Sequence, residues 1–368
     1  MSELEMESRS TLPTPCLVID DAIVRRNIAS MAEYAAAHQL KLRPHTKTHK
    51  SCFVSQLQLE AGACGLTVAK MGEAEVLSTV CDDILLAYPT VDAHRCERAA
   101  RLAERITLRV ALDSFLAADH LSEAAARIGS TVGVLVDVDL GYKRTGVQSD
   151  EAAIQLGQHV SNRPGLRLDG IMTYTGHISG DDATQTKAFE AVAARMSRLM
   201  DEWRAAGLSD EIVSGGSTPA ARHCHLAQHF TEIRPGTYVY NDMNTVHGGY
   251  CAFDDCAARV HATVISNNVP GQVVIDAGSK TLTSDRCGPA PDSGHGYVTE
   301  YPQAKIVRLT EEHGQIDVSG CSHPPALGER LTIIPNHICV CVNMQASAWW
   351  CEGETPRELR IDGRGLLV

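Results

Sequence analysis

The sequence has no apolar run that approaches the length of a membrane span. A spanning helix needs about 20 consecutive apolar residues, and the longest apolar runs of this 368-residue chain have the length of a β-strand. The first ten residues, MSELEMESRS, lack the basic and apolar regions of a signal peptide. The chain has fewer basic than acidic residues, with 33 Lys and Arg and 45 Asp and Glu, which gives a net charge of −12. We therefore expect a cytoplasmic protein whose main partner is neither nucleic acid nor a membrane.

Paired cysteine motifs are also absent. None of the 13 cysteines forms a C-x-x-C pair, which argues against a thioredoxin-like redox motif and a structural zinc site. Their number is odd and their spacing irregular, so we predict reduced thiols rather than a disulfide framework. Apolar residues make up 44% and charged residues 21% of the chain, a globular balance that excludes a disordered or collagen-like protein.

Over the first 240 residues, short β-type runs alternate with longer amphipathic segments. This alternation predicts βαβ units and a parallel sheet. Eight such units in this length match the (β/α)8 TIM barrel, whose usual size is about 250 residues. A doubly wound open sheet is the alternative, because a sequence does not show whether a sheet closes. The predicted strands are 41–44, 65–69, 84–88, 106–112, 132–139, 166–174, 211–214 and 231–234.

After about residue 250 the pattern changes to β-type runs separated by Gly, Asn, Asp and Pro, with no predicted helix of three turns. We therefore predict an α/β barrel over residues 10–250 and a C-terminal, mostly β domain over residues 251–368. The segment 1–15 is expected to pack on the second domain. The predicted strands of this domain are 259–265, 272–277, 305–309, 315–318 and 330–342.

Polar residues follow several of the predicted barrel strands, where barrel enzymes carry their catalytic loops. The first strand leads into RPHTKTHK, and the seventh leads into SGGSTP, a turn of small residues before a predicted helix. Free N–H groups at a helix start attract phosphate. A phosphate site together with a lysine among other cations suggests pyridoxal phosphate bound as a Schiff base. Spacing does not separate Lys47, Lys50 and Lys143, and a solvated basic loop is the simpler alternative.

A second candidate site lies in the sequence PNHIC near the C-terminus. On a strand, residues two apart share a face, so His337 and Cys339 would project together, with Cys341 on the same face. Imidazole and thiolate suit Zn²⁺. Buried core residues are the alternative interpretation. His225 and His229 would form an i, i+4 pair on a helix, but we interpret them as surface or interface histidines.

A series of short segments, which runs nearly end to end, resembles the D-threonine aldolase and D-serine dehydratase family. These are fold-type III pyridoxal phosphate enzymes related to alanine racemase. Within this family the aldolase branch looks closest, because the segments YTGH, GSK and EEHG are similar to those of D-threonine aldolases. The segments are TPCLVID, RPHTKTHK, KMGEAEVL, DDILLAYP, DLGYKRTGV, MTYTGH, SGGSTP, TEIRPGTYVYND, DAGSK, EEHG and PNHIC.

The resemblance implies an alanine racemase-like fold, pyridoxal phosphate, a divalent metal (Mn, Mg or Zn) and a homodimer with a shared active site. It implies that Lys47 carries the cofactor and acts in catalysis with His177. Arg144 and Tyr174 would lie beside the cofactor ring, and the metal would bind to His337 and Cys339. The implied contacts of the phosphate are Gly215, Gly216, Ser217, Thr218, Gly236, Thr237 and Tyr240.

The resemblance also implies the reaction. We expect a lyase that cleaves D-β-hydroxy-α-amino acids by a retro-aldol reaction, with low specificity, so that D-threonine gives glycine and acetaldehyde. A D-serine or D-3-hydroxyaspartate dehydratase is the first alternative, because nearly the same residues serve both outcomes. An amino-acid racemase and a non-catalytic pyridoxal phosphate-binding protein are further alternatives. The metal motif argues against the racemase, and the C-terminal β domain argues against the binding protein.

Overall fold

The computed structural model describes residue 8 and residues 11–368 of the chain. The chain divides into two compact units. The β unit comprises the residues up to Ile28, residues 48–50 and residues 237–365, and the barrel unit comprises the remainder. Most of the predicted N-terminal segment 1–15 lies outside the described residues, and the domain ranges 10–250 and 251–368 stay predictions. No helix in the described part of the chain is long and apolar enough to cross a membrane.

The chain begins with strand β1 (Cys16–Asp20), which the sequence analysis did not predict, and helix α1 (Asp21–Ala37). Asp20 caps the start of this helix, because its Oδ1 accepts a hydrogen bond from the Ile23 N–H at 3.1 Å. In the β unit, β1 lies between two strands that are far away in sequence. This explains why no local pattern marked it as part of a sheet.

The barrel unit confirms all eight predicted strands. They pair in parallel in the order β2-β9-β8-β7-β6-β5-β4-β3. A parallel bridge between His45 and Thr67 joins β2 to β3, and the Thr67 N–H donates to Pro44 O at 2.9 Å. The sheet is therefore closed, as in a TIM barrel. The strands are β2 (Lys41–Leu42), β3 (Leu66–Val68), β4 (Asp83–Leu86), β5 (Thr107–Leu112), β6 (Val132–Val138), β7 (Leu166–Thr173), β8 (Ile212–Gly215) and β9 (Glu232–Ile233).

The helices between these strands also follow the predicted pattern. Ser149 caps α6 through a hydrogen bond from the Ala152 N–H to its Oγ, at 3.1 Å, and Ser114 caps α5 in the same way. Gly129, with φ 84°, ends α5 in the left-handed conformation that favours glycine. The helices are α2 (Cys52–Glu60), α3 (Met71–Leu77), α4 (Ala93–Leu102), α5 (Phe115–Ile128), α6 (Asp150–Ser161) and α7 (Asp182–Ala205).

One layer of the barrel interior is made of charged side chains instead of apolar ones. Arg43 Nε donates to Glu232 Oε2 at 2.8 Å and its Nη1 to Asp83 Oδ1 at 2.5 Å. Arg109 binds the same Asp83 oxygen at 2.6 Å and Asp169 Oδ2 at 2.7 Å. Both arginines are nearly fully buried, so each requires its partners. An apolar cluster of Leu85, Ala111, Leu135, Met172 and Ile212 fills a further part of the interior.

The β unit holds a mixed sheet in the order β13-β14-β11-β10-β1-β16-β17, with β15 paired to β10 and β12. Its strands are β10 (Ala258–Ser266), β11 (Gln272–Ile275), β12 (Tyr297–Val298), β13 (Lys305–Leu309), β14 (Gly314–Asp317), β15 (Arg330–Ile334), β16 (Ser347–Glu352) and β17 (Thr355–Arg360). Its short helices are α8 (Met243–His247), α9 (Ser279–Leu282) and α10 (Ile338–Met344).

The predicted strand 330–342 is wrong in its second half. β15 ends at Ile334, and Pro335, which has no N–H to continue a ladder, leads into helix α10. The Ile338 N–H at the start of this helix donates to the buried Asp242 Oδ2 at 3.1 Å. The β-branched sequence ICVCV favours a strand locally, and this tertiary contact overrides it.

Candidate active site

A cavity opens in the barrel unit at the carboxyl ends of the strands, where barrel enzymes carry their active sites. Its empty volume is about 550 Å³, a figure that includes space open to solvent. The lining side chains come from the loops after β2, β6, β7, β8 and β9. The lining residues include Lys47, Asp137, Arg144, Tyr174, Gly216 and Arg234.

Lys47 belongs to a single turn of 3₁₀ helix, Thr46–Thr48, directly after β2. The turn is anchored by the buried Thr46, whose Oγ1 donates to Thr67 O at 3.0 Å. Lys47 lines the cavity. Lys50, by contrast, is buried in the β unit, and Lys143 is exposed. The geometry therefore favours Lys47 among the three lysines that spacing left open.

Arg144 lies against two aromatic rings at the cavity. Its guanidinium carbon is 4.9 Å from the ring centroid of Tyr142 and 4.8 Å from that of Tyr174. The two rings meet edge to face at 4.8 Å. A planar, weakly hydrated guanidinium suits such stacking better than an ammonium would. The structure thus brings Lys47, Arg144 and Tyr174 to one cavity.

In the glycine segment after β8, the backbone lies close to neighbouring side chains. Gly216 has φ 90°, and a Cβ there would lie 2.9 Å from Cys224 Sγ; a Cβ on Gly215 would overlap the ring of Phe230. The Gly236 N–H donates to Thr218 Oγ1 at 3.2 Å, which joins this segment to the loop after β9. The expected helix start is different in detail, because a 3₁₀ helix, Ala221–Ala227, follows.

Buried polar groups next to this segment lack partners. Thr175 Oγ1 and Thr173 Oγ1 are buried with no hydrogen-bond partner among the described residues. Ser217 Oγ donates to Thr175 O at 3.5 Å, so one orphaned hydroxyl lies beside the glycine segment. Orphaned buried donors are rare in proteins unless a ligand or water satisfies them. An amine, a stacked guanidinium, a glycine segment and an unsatisfied hydroxyl together fit pyridoxal phosphate.

Arg234 and Asp137 are among the cavity residues that were not predicted as site residues. Arg234, wholly buried after β9, donates to Ser214 Oγ at 2.6 Å and to Thr173 O at 2.7 Å. Burial raises the pKa of Asp137 to about 6, although a hydrogen bond from Thr145 and the charge of Arg234 act against the rise. Both residues lie at carboxyl ends of predicted strands, which is the signal that could have found them.

His177 lies on the loop after β7 and is exposed. Its Nε2 is 3.1 Å from the position that a Cβ on Gly141 would occupy, so this glycine leaves room for the imidazole. Gly141 in turn donates its N–H to Asp139 Oδ1, and Asp139 lines the cavity. The catalytic role of His177 stays a prediction.

The β unit contains the predicted metal pair, although not on a strand. His337 is the N-cap of α10, and Cys339 lies in the first turn. His337 Nδ1 is 2.9 Å from Asp285 Oδ2. A hydrogen bond to Cys339 raises the pKa of His337 to about 9. Burial raises the pKa of the Cys339 thiol, but the hydrogen bond and charge of His337 outweigh burial, so this pKa is lowered.

His337 thus contacts a thiol and a carboxylate, and imidazole, thiolate and carboxylate are the ligand types that zinc sites use. Yet the described residues include no group of three or more His, Cys, Asp and Glu arranged to hold a metal. Cys341 is not a third ligand, because its thiol donates to Thr281 O at 2.7 Å and the helix turns it away from Cys339. The metal site at His337 and Cys339 stays a prediction.

The two remaining predicted phosphate contacts, Thr237 and Tyr240, also belong to the β unit. Thr237 Oγ1 lies 3.6 Å from Cys339 Sγ. The hydroxyl of Tyr240 is buried and has no hydrogen-bond partner in the described part of the chain. An unsatisfied phenol is consistent with a bound group, and its contact with phosphate stays a prediction.

His225 and His229 do not form an i, i+4 pair, because the segment is a 3₁₀ helix that ends at Ala227. His225 stacks on His38 with ring centroids 4.0 Å apart and bonds to the Tyr34 hydroxyl at 2.9 Å. His229 bonds instead to Ser197 Oγ at 3.0 Å.

Comparison with known proteins agrees with this geometry. The model of the alanine racemase N-terminal domain matches residues 19–244, and that of the serine dehydratase domain matches residues 257–349. The D-threo-3-hydroxyaspartate dehydratase of Delftia sp. (strain HT23) is 33% identical over 89% of this chain and 91% of its own length. The chain belongs to the D-threonine aldolase and D-serine dehydratase family. Its members named here are lyases with the fold-type III pyridoxal phosphate architecture.

Other relatives include both reaction types. The D-threonine aldolase of Arthrobacter sp is 29% identical over 90% of this chain and 87% of its own length. The crystal structure of D-threonine aldolase from Filomicrobium marinum superposes with a TM-score of 0.90 at 28% identity and covers 97% of both chains. A cysteine-to-alanine variant of the Delftia enzyme, in a metal-free form, has a TM-score of 0.87 at 30% identity and covers 96% of this chain and 98% of its own. The predicted family and fold class are confirmed.

Proposed function

We propose that this protein is a pyridoxal phosphate- and divalent-metal-dependent lyase that cleaves D-β-hydroxy-α-amino acids, with D-threonine giving glycine and an aldehyde. One observation carries the proposal: Lys47, Arg144 and Gly216 line a single cavity at the carboxyl ends of the barrel strands. Pyridoxal phosphate, when bound, supplies an electron sink for charge that develops at Cα.

Each group has a role in this proposal. The Lys47 amine bonds the cofactor, and the backbone of the segment 215–218 with Gly236 binds the phosphate. The guanidinium of Arg144, held by two tyrosine rings, supplies positive charge to the cavity. A retro-aldol cleavage requires that the β-hydroxyl lose its proton, and we assign the acceptance of that proton to the His177 imidazole.

The divalent metal is assigned to His337 and Cys339, and Asp285 Oδ2 accepts a hydrogen bond from His337 Nδ1. Imidazole and thiolate favour Zn²⁺ over Mg²⁺ or Mn²⁺. Such an ion would act as a Lewis acid toward a hydroxyl group. The metal-free form of the Delftia relative supports a metal in this family. The homodimer with a shared site and the cytoplasmic location stay predictions.

A dehydratase is the second candidate, favoured by the 33% identity to D-threo-3-hydroxyaspartate dehydratase. The two reactions differ in the bond that breaks at Cα, so their products separate them. We expect glycine and an aldehyde when the purified enzyme is incubated with D-threonine. A 2-oxo acid and ammonia from D-serine or D-threo-3-hydroxyaspartate would instead identify a dehydratase, and neither product from any of the three would contradict both candidates.

The metal assignment gives a separate prediction. We expect Cys339→Ser to lose bound zinc. We also expect its activity to fall by at least the roughly 10- to 100-fold loss that is seen when a residue that only supports a metal ligand is removed. Cys341→Ser is the matched control, because a serine hydroxyl can also donate to Thr281 O. Metal content per chain, measured by atomic absorption after dialysis, is the readout. Equal zinc in both variants would refute the assignment.

A further inference from the structure

Carboxylates at the ends of β5 and β6 accept hydrogen bonds from the backbone of the loop after β6. Asp139 Oδ1 accepts the N–H groups of Gly141 and Lys143, both at 3.0 Å. Asp113 Oδ2, which follows β5, accepts the Gly146 N–H at 3.0 Å. Such side chain-to-backbone bonds fix the path of the loop without help from a neighbouring strand.

The ends of the loop are also bonded to each other. The Val147 N–H donates to Asp137 O at 2.9 Å, and the Asp139 N–H donates to Val147 O at 3.1 Å. Gly146, with φ 101°, lies so close that a Cβ on it would be 2.6 Å from the Asp139 nitrogen. The backbone on either side of Arg144 is therefore fixed.

Asp137 makes a different contact, to a side chain of the same loop. Its Oδ2 accepts a hydrogen bond from Thr145 Oγ1 at 2.8 Å. Thr145 follows Arg144 directly, and all three residues line the cavity. Asp137 is only 3% exposed, whereas Thr145 is exposed, so the contact joins a buried carboxylate to a residue at the surface of the loop.

The charge on Asp137 is unfavourable for folding. Burial raises its pKa from 3.8 to about 6; Thr145, Arg234 and Arg144 lower it, and Asp113 adds to the rise. Between these two values the folded protein binds more protons than the unfolded chain. The stability that this group contributes is therefore fully present below pH 3.8 and is lost as the pH rises through about 6. The other titratable side chains that line the cavity are His45, Lys47, Asp139, Tyr142 and Tyr174.

At neutral pH the protein thus keeps a carboxylate where a neutral side chain would be more stable. An ionised group retained against its folding cost, in a cavity, is characteristic of a functional site. We propose that Asp137 is a positioning residue, whose carboxylate orients Arg144 in the cavity through the hydroxyl of Thr145 and thereby sets the affinity for pyridoxal phosphate. This inference rests on the proposed function, because it takes that cofactor as the occupant of the cavity.

The test measures cofactor binding and stability separately. Apoprotein of the wild type and of Asp137→Asn and Thr145→Val is titrated with pyridoxal phosphate at pH 7.5, and Tm is recorded at pH 5 and 7.5. We expect each variant to bind the cofactor about tenfold more weakly, the size expected for a lost charge-assisted hydrogen bond. In an Arg144→Ala background, Asp137→Asn should cause no further loss. Asp201→Asn, at an exposed position of α7, is the control.

The stability readout distinguishes positioning from a structural role. At pH 7.5, Asp137→Asn should have a Tm equal to or above that of the wild type, because the buried charge is gone. A lower Tm with weaker binding would overturn the proposal in favour of a structural role, and unchanged binding would overturn it directly. If wild-type apoprotein binds no pyridoxal phosphate, the proposed function itself fails, an outcome distinct from the other two.

Discussion

Lys47→Ala should lose the absorbance band of the Schiff base and reduce kcat/KM by about 1,000-fold or more, as removal of a covalent catalytic group does. The reason is positional: this lysine lines the cavity that Arg144 and Gly216 share. The readouts are the visible spectrum of the purified protein and, after borohydride reduction, the mass of the labelled peptide.

Lys143→Ala is the matched control for this experiment. Lys143 has an exposed side chain, and spacing alone had left it as a candidate. We expect this variant to keep the band and the labelled peptide. A band that survives in Lys47→Ala and disappears when Lys50 or Lys143 is replaced would assign the cofactor to another lysine and contradict the proposed mechanism.

The second large effect concerns stability. Glu232→Gln should lower the free energy of unfolding by about 3–5 kcal/mol, the usual cost of breaking a buried ion pair by removing one partner. Glu232 is 1% exposed and accepts hydrogen bonds from Arg43 Nε at 2.8 Å and Ser214 Oγ at 2.5 Å. The substitution would leave the buried guanidinium of Arg43 with Asp83 alone.

Urea unfolding followed by circular dichroism measures this effect. Glu97→Gln provides the comparison, because Glu97 pairs with Arg101 on an exposed helix face, where solvent screens the pair and its contribution to stability is small. A loss for Glu232→Gln no larger than for Glu97→Gln would mean that the interior charges do not act as a bonded network.

The alternation of strands and helices was predictable because it depends on local periodicity. Helix α5 shows such local signals, since a serine cap and a left-handed glycine mark its two ends. Strand β1 was missed because its partners, β10 and β16, lie hundreds of residues further along the chain. Helix α10 was mistaken for a strand because the contact of Ile338 with Asp242 joins residues 96 positions apart, which no local pattern shows.

The residues of the candidate site also fall into those that local motifs indicated and those that local motifs did not indicate. The place of the glycine segment after a strand was predictable from its motif, whereas Lys47 was separated from Lys50 and Lys143 only by the family resemblance. Asp137 and Arg234 follow strands too, but their importance depends on facing inward, which a single sequence does not show. The ion pair of Arg43 with Glu232 joins residues 189 positions apart, so no local pattern could indicate it.

The charged layer inside the barrel has a consequence for strand alignment. Arg43, Asp83, Arg109 and Asp169 reach one another only if each strand end presents its charge to the interior. Because side chains alternate between the two faces of a strand, a slip of one residue would turn a charge toward the apolar helix layer. An all-apolar barrel would tolerate such slips far better. These buried ion pairs therefore fix the strand register, and they favour one closed arrangement of the strands over arrangements that are shifted by one residue.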